Sequence, residues 1–185
     1  SSVEQAKVIH ISTGRPEYYL RLMAECRKMG KEISFDPAQE IHRIWSRETF
    51  RQALPLCNTF FANQNEMRTA MRYLDLSSPE EITDIVGTFV NTLGRQGSVL
   101  CSREGKWRIP AAQAEKVVDT TGAGDAFRAG FYAGKYRGYA PQECAAFGSA
   151  AASFIVEERG SVTNIPSWEQ VRERANEVLS GIERY

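Results

Sequence analysis

The sequence predicts an α/β fold, a mainly parallel sheet flanked by helices, on three observations. Short β-branched and aromatic runs alternate with longer stretches whose apolar residues recur every three or four positions. Turn and cap residues (Gly30, Asp36-Pro37, Ser78-Pro79) fall between these stretches rather than inside them. The 185 residues, 42% hydrophobic and 25% charged, are enough to bury a core and show no repeat or low-complexity tract. Residues 1–185 therefore read as a single α/β domain.

Each element has its own signal. Residues 7–11 (KVIHI) read as a buried strand. Pro16 suits a first helical turn, and Tyr19, Leu22, Met23, Cys26 and Met29 share one face before Gly30 closes the helix. Residues 31–35 form the next strand, stopped by Asp36-Pro37. Ser46 is an N-cap, with Trp45 and Phe50 spaced for a hydrophobic staple. Residues 59–62 are a third strand, and Met67, Ala70, Met71 and Leu74 stripe the helix that follows. Ser78-Pro79-Glu80-Glu81 is a capping box with proline at the first position, opening a helix that carries Ile82, Ile85 and Val86. Residues 89–93, 98–101 and 106–109 are strands, the last two joined at Glu104-Gly105 as an antiparallel hairpin at one sheet edge. Val117-Val118 ends a further strand, followed by a glycine-rich turn and a helix over about 125–136. Pro141 opens a helix to about Val156, and Ser167 caps a last one striped by Val171, Val178, Leu179 and Ile182.

Charge and cysteines narrow the function classes. Lys+Arg and Asp+Glu are equal at 23 each, so the electrostatic footprint of a nucleic-acid or membrane-surface binder is missing. No apolar run reaches the roughly eighteen residues a spanning helix needs. The first residues lack the pattern of a signal peptide, and the expectation is a cytoplasmic protein. Cys26, Cys57, Cys101 and Cys144 contain no CxxC pair, so they read as reduced, mostly buried thiols rather than a zinc ribbon or a disulfide framework.

The chemistry concentrates in Val117-Val118-Asp119-Thr120-Thr121-Gly122-Ala123-Gly124-Asp125-Ala126-Phe127. Two glycines permit a tight turn, and the N–H groups of Gly122, Ala123 and Gly124 would point outward at the positive end of the helix that follows. Such an end suits phosphate oxygens. A carboxylate at Asp125 repels that ligand unless it has a chemical task, and taking the proton of an attacking hydroxyl is such a task. An aspartate that only caps the helix is the bland alternative. A dinucleotide site is disfavoured because Phe127 stands where the third glycine belongs, and no Gly-Lys-Ser/Thr follows for a Walker A loop. Arg128 either leans over the anion site or sits on a solvated helix face. His10 and His42 lack partners in any recognisable catalytic arrangement.

Residues 119–127 resemble the C-terminal signature of the ribokinase-like (PfkB-type) sugar and nucleoside kinases, and the resemblance extends over about residues 8–179. Asn63-Gln64-Asn65-Glu66 is similar to the family's Asn-x-x-Glu element, though alone it reads as a helix start. The resemblance implies that Asn63 serves the nucleotide phosphates and that Glu66 holds Mg²⁺ through water. Thr92-Leu93-Gly94-Arg95-Gln96-Gly97 resembles the nucleotide-binding turn, implying roles for Thr92, Gly94 and Gly97. Gly160-Ser161, with Asn164 and Pro166, resembles the segment closing a monovalent-cation loop. That implies a K⁺ site of Asp119 with the carbonyls of Thr121, Ile155, Glu158 and Gly160, and Asn164 near its end. Ser149 stands where the family places a residue against adenine; on its own it is a small residue allowing close helix packing.

The implied function is ATP- and Mg²⁺-dependent phosphoryl transfer to the hydroxymethyl group of a nucleoside or sugar. Asp125 would be the general base, and Gly122, Ala123 and Gly124 the anion hole. Residues 9–14 look similar to archaeal nucleoside kinases, and residues 34–40 resemble the Asp-Pro-x-Gln segment of archaeal and bacterial nucleoside or adenosine kinases more than the sugar-kinase version. A sugar kinase of the same fold, or a catalytically silent nucleotide-binding or regulatory domain, are the alternatives. The family's first strands, β lid and Gly-Gly motif have no counterpart in the sequence. The expectation is a fragment, weak or inactive alone, whose exposed edge meets a copy of itself or the missing half.

Overall fold

The computed structural model describes residues 2–185. The chain parts into two compact units: residues up to Thr92 with Cys101–Glu104, and Leu93–Leu100 with Gly105–Tyr185.

The first unit opens with a single helical turn, α1 (Ser2–Gln5), and continues β1 (Val8–Ile11), α2 (Pro16–Lys28), β2 (Glu32–Phe35), α3 (Arg47–Ala53), β3 (Thr59–Asn63), α4 (Gln64–Leu74) and β4 (Thr88–Thr92). Its four strands pair in chain order, all parallel, as β-helix-β repetition requires. The register sets Asn63 beside Thr92 at the C-terminal ends of β3 and β4. The core is aromatic. Phe35 packs on Trp45 (ring centroids 5.0 Å) and Phe60 (6.1 Å), and Phe50 packs on Phe60 (5.8 Å). Trp45 and Phe50 meet edge-on at 6.5 Å across the Ser46 cap, the predicted staple.

Two expectations fail in this unit. The strand at 7–11 is not buried: only Ile11 is, His10 is exposed, and Val8 and Ile9 are half-covered, because β1 is the outermost of the four parallel strands. Pro79–Asp84 is a 3₁₀ helix, not an α-helix. The Ser78–Glu81 box forms, with Glu81 Oε1 accepting the Ser78 N–H at 2.6 Å. The next bonds then run three residues back (Thr83 hydroxyl to Glu80 carbonyl, Ile85 N–H to Ile82 carbonyl), which tightens the turn and ends it.

The second unit holds residues 98–100 of β5 (Ser98–Ser102), then β6 (Gly105–Ile109), α5 (Ala123–Tyr136), α6 (Pro141–Ile155), α7 (Trp168–Ser180) and β7 (Glu183–Arg184). Its strands run in the order β5-β6-β7. The two-residue β7 is unforeseen. It pairs antiparallel with β6 (Trp107 with Arg184, Arg108 with Glu183), so the 98–109 hairpin is not outermost here. Val117-Val118 is not a strand. Both valines are exposed, and the Val118 and Asp119 amides donate to the Val156 carbonyl at the end of α6, at 2.8 and 3.3 Å, instead of to a neighbouring strand.

A seam of small residues joins α5 to α6. A β-carbon on Gly130 would lie 2.5 Å from the Phe147 carbonyl oxygen, and one on Gly148 2.6 Å from that of Phe127. Only hydrogen fits at either place, which lets the two helix backbones approach closely. Beyond the seam Phe147, Ala150, Ala151, Val171 and Ala175 form the core against α7, with the Tyr139 ring edge-on and the Trp168 ring tilted against Phe147, centroids at 4.7 and 4.9 Å. All four cysteines are free and buried, and burial pushes the Cys144 thiol up to about 12 and the Cys57 thiol higher still, so neither is a ready nucleophile.

Candidate active site

Helix α5 starts without a side-chain cap. Its N-cap is Gly122 at φ +81°, a left-handed conformation that glycine adopts without strain. A β-carbon there would also fall 2.5 Å from that of Ser161, so the turn and the Gly160-Ser161 loop lie in contact. Of the three amides expected to face outward, Ala123's does not: it donates to the Thr120 carbonyl at 3.2 Å, closing the turn. Gly122 and Gly124 stand among the first residues of the helix, whose N–H groups have no intrahelical acceptor. The Asp125 side chain is 77% exposed and ion-pairs with Arg128 one turn on; it does not reach back to cap the helix.

The loop before the turn is tied to the loop after α6 through Asp119. Its Oδ1 accepts the Thr121 N–H at 2.9 Å and its Oδ2 the Gly160 N–H at 3.1 Å. The Thr121 bonds, then Gly160's, hold this carboxyl below the usual carboxylate range. So Asp119, Thr121 and Gly160 come together as the resemblance implies. Asn164 joins them differently: its side-chain N–H₂ donates to the Phe154 carbonyl at 2.7 Å and to Glu157 at 3.4 Å. Ile155 is buried at the end of α6, and Glu158 is exposed in the loop. Ser149 is buried, and its hydroxyl accepts the Ala112 N–H at 2.8 Å and donates to the Pro110 carbonyl at 3.3 Å, so it fixes the segment after β6. Gly94 and Gly97 shape a turn closed by the Leu93 N–H on the Gly97 carbonyl at 2.8 Å.

In the first unit Asn63 and Glu66 form a complete capping box on α4. Asn63 Oδ1 accepts the Asn65 and Glu66 N–H groups at 2.9 and 3.0 Å, and Glu66 Oε2 accepts the Asn63 N–H at 2.7 Å. Thr92 neighbours Asn63 through the strand register.

Sequence reasoning missed Glu157. This buried carboxylate accepts the Glu115 N–H at 2.9 Å and the Arg174 guanidinium at 2.6 Å, joining the segment after β6, the Asn164 loop and α7. Within Glu157-Glu158-Arg159 nothing in the sequence marks one acid as inward. Among the described residues no three His, Cys, Asp or Glu side chains are grouped to hold a metal, and no helix is long and apolar enough to cross a membrane.

The pattern of the pfkB family carbohydrate kinases matches residues 1–168, and the chain belongs to that family. It is 36% identical over 171 residues to a nucleoside kinase of Methanocaldococcus jannaschii, covering 91% of this chain and 55% of that protein. A nucleoside kinase of Methanothermobacter thermautotrophicus is 38% identical over 167 residues, covering 89% and 52%. The crystal structure of the Methanocaldococcus jannaschii nucleoside kinase, an archaeal member of the ribokinase family, superposes with a TM-score of 0.85 at 35% identity, over 93% of this chain and 56% of that one. The chain thus spans about half the length of the curated relatives it matches.

Proposed function

We propose that this chain carries the phosphoryl-transfer end of an ATP-dependent kinase whose acceptor is the hydroxymethyl group of a nucleoside. The observation that carries the proposal is the N-terminus of α5: an uncapped helix end on a glycine, with an exposed carboxylate three residues in. The N–H groups of Gly122 and Gly124 and the positive end of the helix dipole stabilise charge spreading over the transferring phosphoryl group. Asp125 takes the acceptor's hydroxyl proton as the oxygen bonds to the γ-phosphorus and ADP leaves. Ala123 serves by closing the turn. The archaeal relatives at 36 and 38% identity, both named nucleoside kinases, favour a nucleoside over a free sugar.

Mg²⁺ fits this chain through water and substrate phosphate only. Glu66 is buried with one oxygen on the Asn63 amide, and magnesium retains several waters beside one or two carboxylates. Bound, the ion would neutralise phosphate charge. A monovalent cation fits Asp119, whose carboxylate is bonded by the Thr121 amide and hydroxyl and the Gly160 amide and has about one lone-pair site left. Thr121, Ile155, Glu158 and Gly160 would add carbonyls, with Asn164 bracing the loop. Thr92, Gly94 and Gly97 shape the nucleotide side, and Ser149 holds the segment beside adenine.

The test is transfer of phosphate from ATP to adenosine, cytidine, inosine and ribose, in wild type and Asp125→Asn. A nucleoside product in wild type that is lost in the variant, with ATP still bound, supports the reading. Equal turnover by the variant contradicts it.

A further inference from the structure

We infer that Arg128 is a phosphate-contacting residue of this site, exchanging the Asp125 carboxylate for the terminal phosphate of ATP when the nucleotide binds. The inference rests on the kinase reading above and adds a residue and a competition to it.

Three observations carry it. Arg128 belongs to the second turn of α5, yet its guanidinium is turned back over the helix start: Nη1 lies 3.3 Å, and Nη2 3.9 Å, from where a β-carbon on Gly124 would stand. Gly124 does not have a positive φ, so its lack of a side chain serves space rather than backbone conformation, and the guanidinium occupies that space. Finally, the arginine is the covered member of its pair with Asp125, at 15% side-chain exposure against 77%. A solvated helix face would leave a long arginine extended into water.

This placement runs against the helix dipole, whose positive end disfavours a second cation. Asp125 compensates it in the free protein. An arriving phosphate would compensate it better, since guanidinium and phosphate match as a bidentate fork. The exchange has a chemical consequence. While paired to Arg128, Asp125 has one oxygen engaged, and phosphate arrival releases that oxygen to accept the hydroxyl proton. Both oxygens of the base are thus free once the donor is in place.

Calorimetry of the chain with ATP and with AMP, on wild type, Arg128→Gln, Asp125→Asn and the double variant, tests the competition. Arg128→Gln is expected to weaken ATP on the order of tenfold and leave AMP within about twofold, since AMP lacks the terminal phosphate. Asp125→Asn is expected to tighten ATP severalfold, and that gain should vanish in the double variant. If Arg128→Gln binds ATP as wild type does, weakens ATP and AMP alike, or leaves the Asp125→Asn gain intact, Arg128 has no such role and the kinase reading stands. A wild-type chain that binds neither nucleotide overturns both.

Discussion

The helix starts of α4 and α5 are built on opposite plans. At α4 the side chains of Asn63 and Glu66 bond three amides, so that helix end is capped by its own residues. At α5 a glycine stands at the cap and Asp125 is turned outward to Arg128. The contrast teaches that an acid at the third helical position has two uses. Reaching back, it stabilises the helix; turned out beside open amides, it is available for chemistry.

Substitutions can break this contrast. The largest effect is expected at Asp125: replacement by Asn should lower phosphoryl transfer by about 10²–10⁴-fold, the usual weight of a general base. Its thermal midpoint should fall modestly, because the carboxylate itself is exposed but the covered Arg128 loses its ion-pair partner. Next comes Glu157→Ala, which strands the Arg174 guanidinium in a largely covered site, where side-chain exposures are 19% for Arg174 and 9% for Glu157. Denaturant titration should show a loss of roughly 3–5 kcal/mol. Asn63→Ala should cost about 1 kcal/mol, the ordinary value of an N-cap, read as a lower denaturation midpoint. A loss there several times larger would mean that α4 depends on more than its cap.

The smallest effect is a pH dependence at Asp119. Its folded pKa is depressed, so its contribution is present above the ordinary carboxylate value near 3.9 and is lost as pH falls through the lower folded value. Stability curves of wild type and Asp119→Asn should therefore run apart at neutral pH and converge only in strong acid. Convergence already at pH 6 would contradict the two amide bonds.

The legible parts of this molecule are those written in local chemistry. The parallel strand β3 announces itself because its covered run Phe60-Phe61-Ala62 is continuously apolar. Ser46 and Ser167 caps, the Ser78–Glu81 box and the 119–127 turn follow from residue types at fixed spacing. Most of what stayed hidden depends on partners remote in sequence. Glu183-Arg184 has no strand-like side chains and pairs through its main chain. Val117-Val118 has strand-like side chains but bonds to the end of α6. The Ala123 amide was misassigned because its acceptor, Thr120, lies within the same turn. The Gly130–Gly148 seam and the inward Glu157 exist only once α5, α6 and α7 are assembled. At Asn63-x-x-Glu66 the plain helix-start reading describes the geometry, whatever further part those residues take with bound nucleotide.

Backbone amide NMR of the wild-type chain titrated with ADP, with EDTA present to keep Mg²⁺ from Glu66, compares the two helix starts directly. The Gly122 and Gly124 resonances are expected to move as nucleotide binds while those of Asn65 and Glu66, held by the Asn63 cap, stay in place. Shifts at Asn65 and Glu66 with Gly122 and Gly124 unmoved would contradict this contrast.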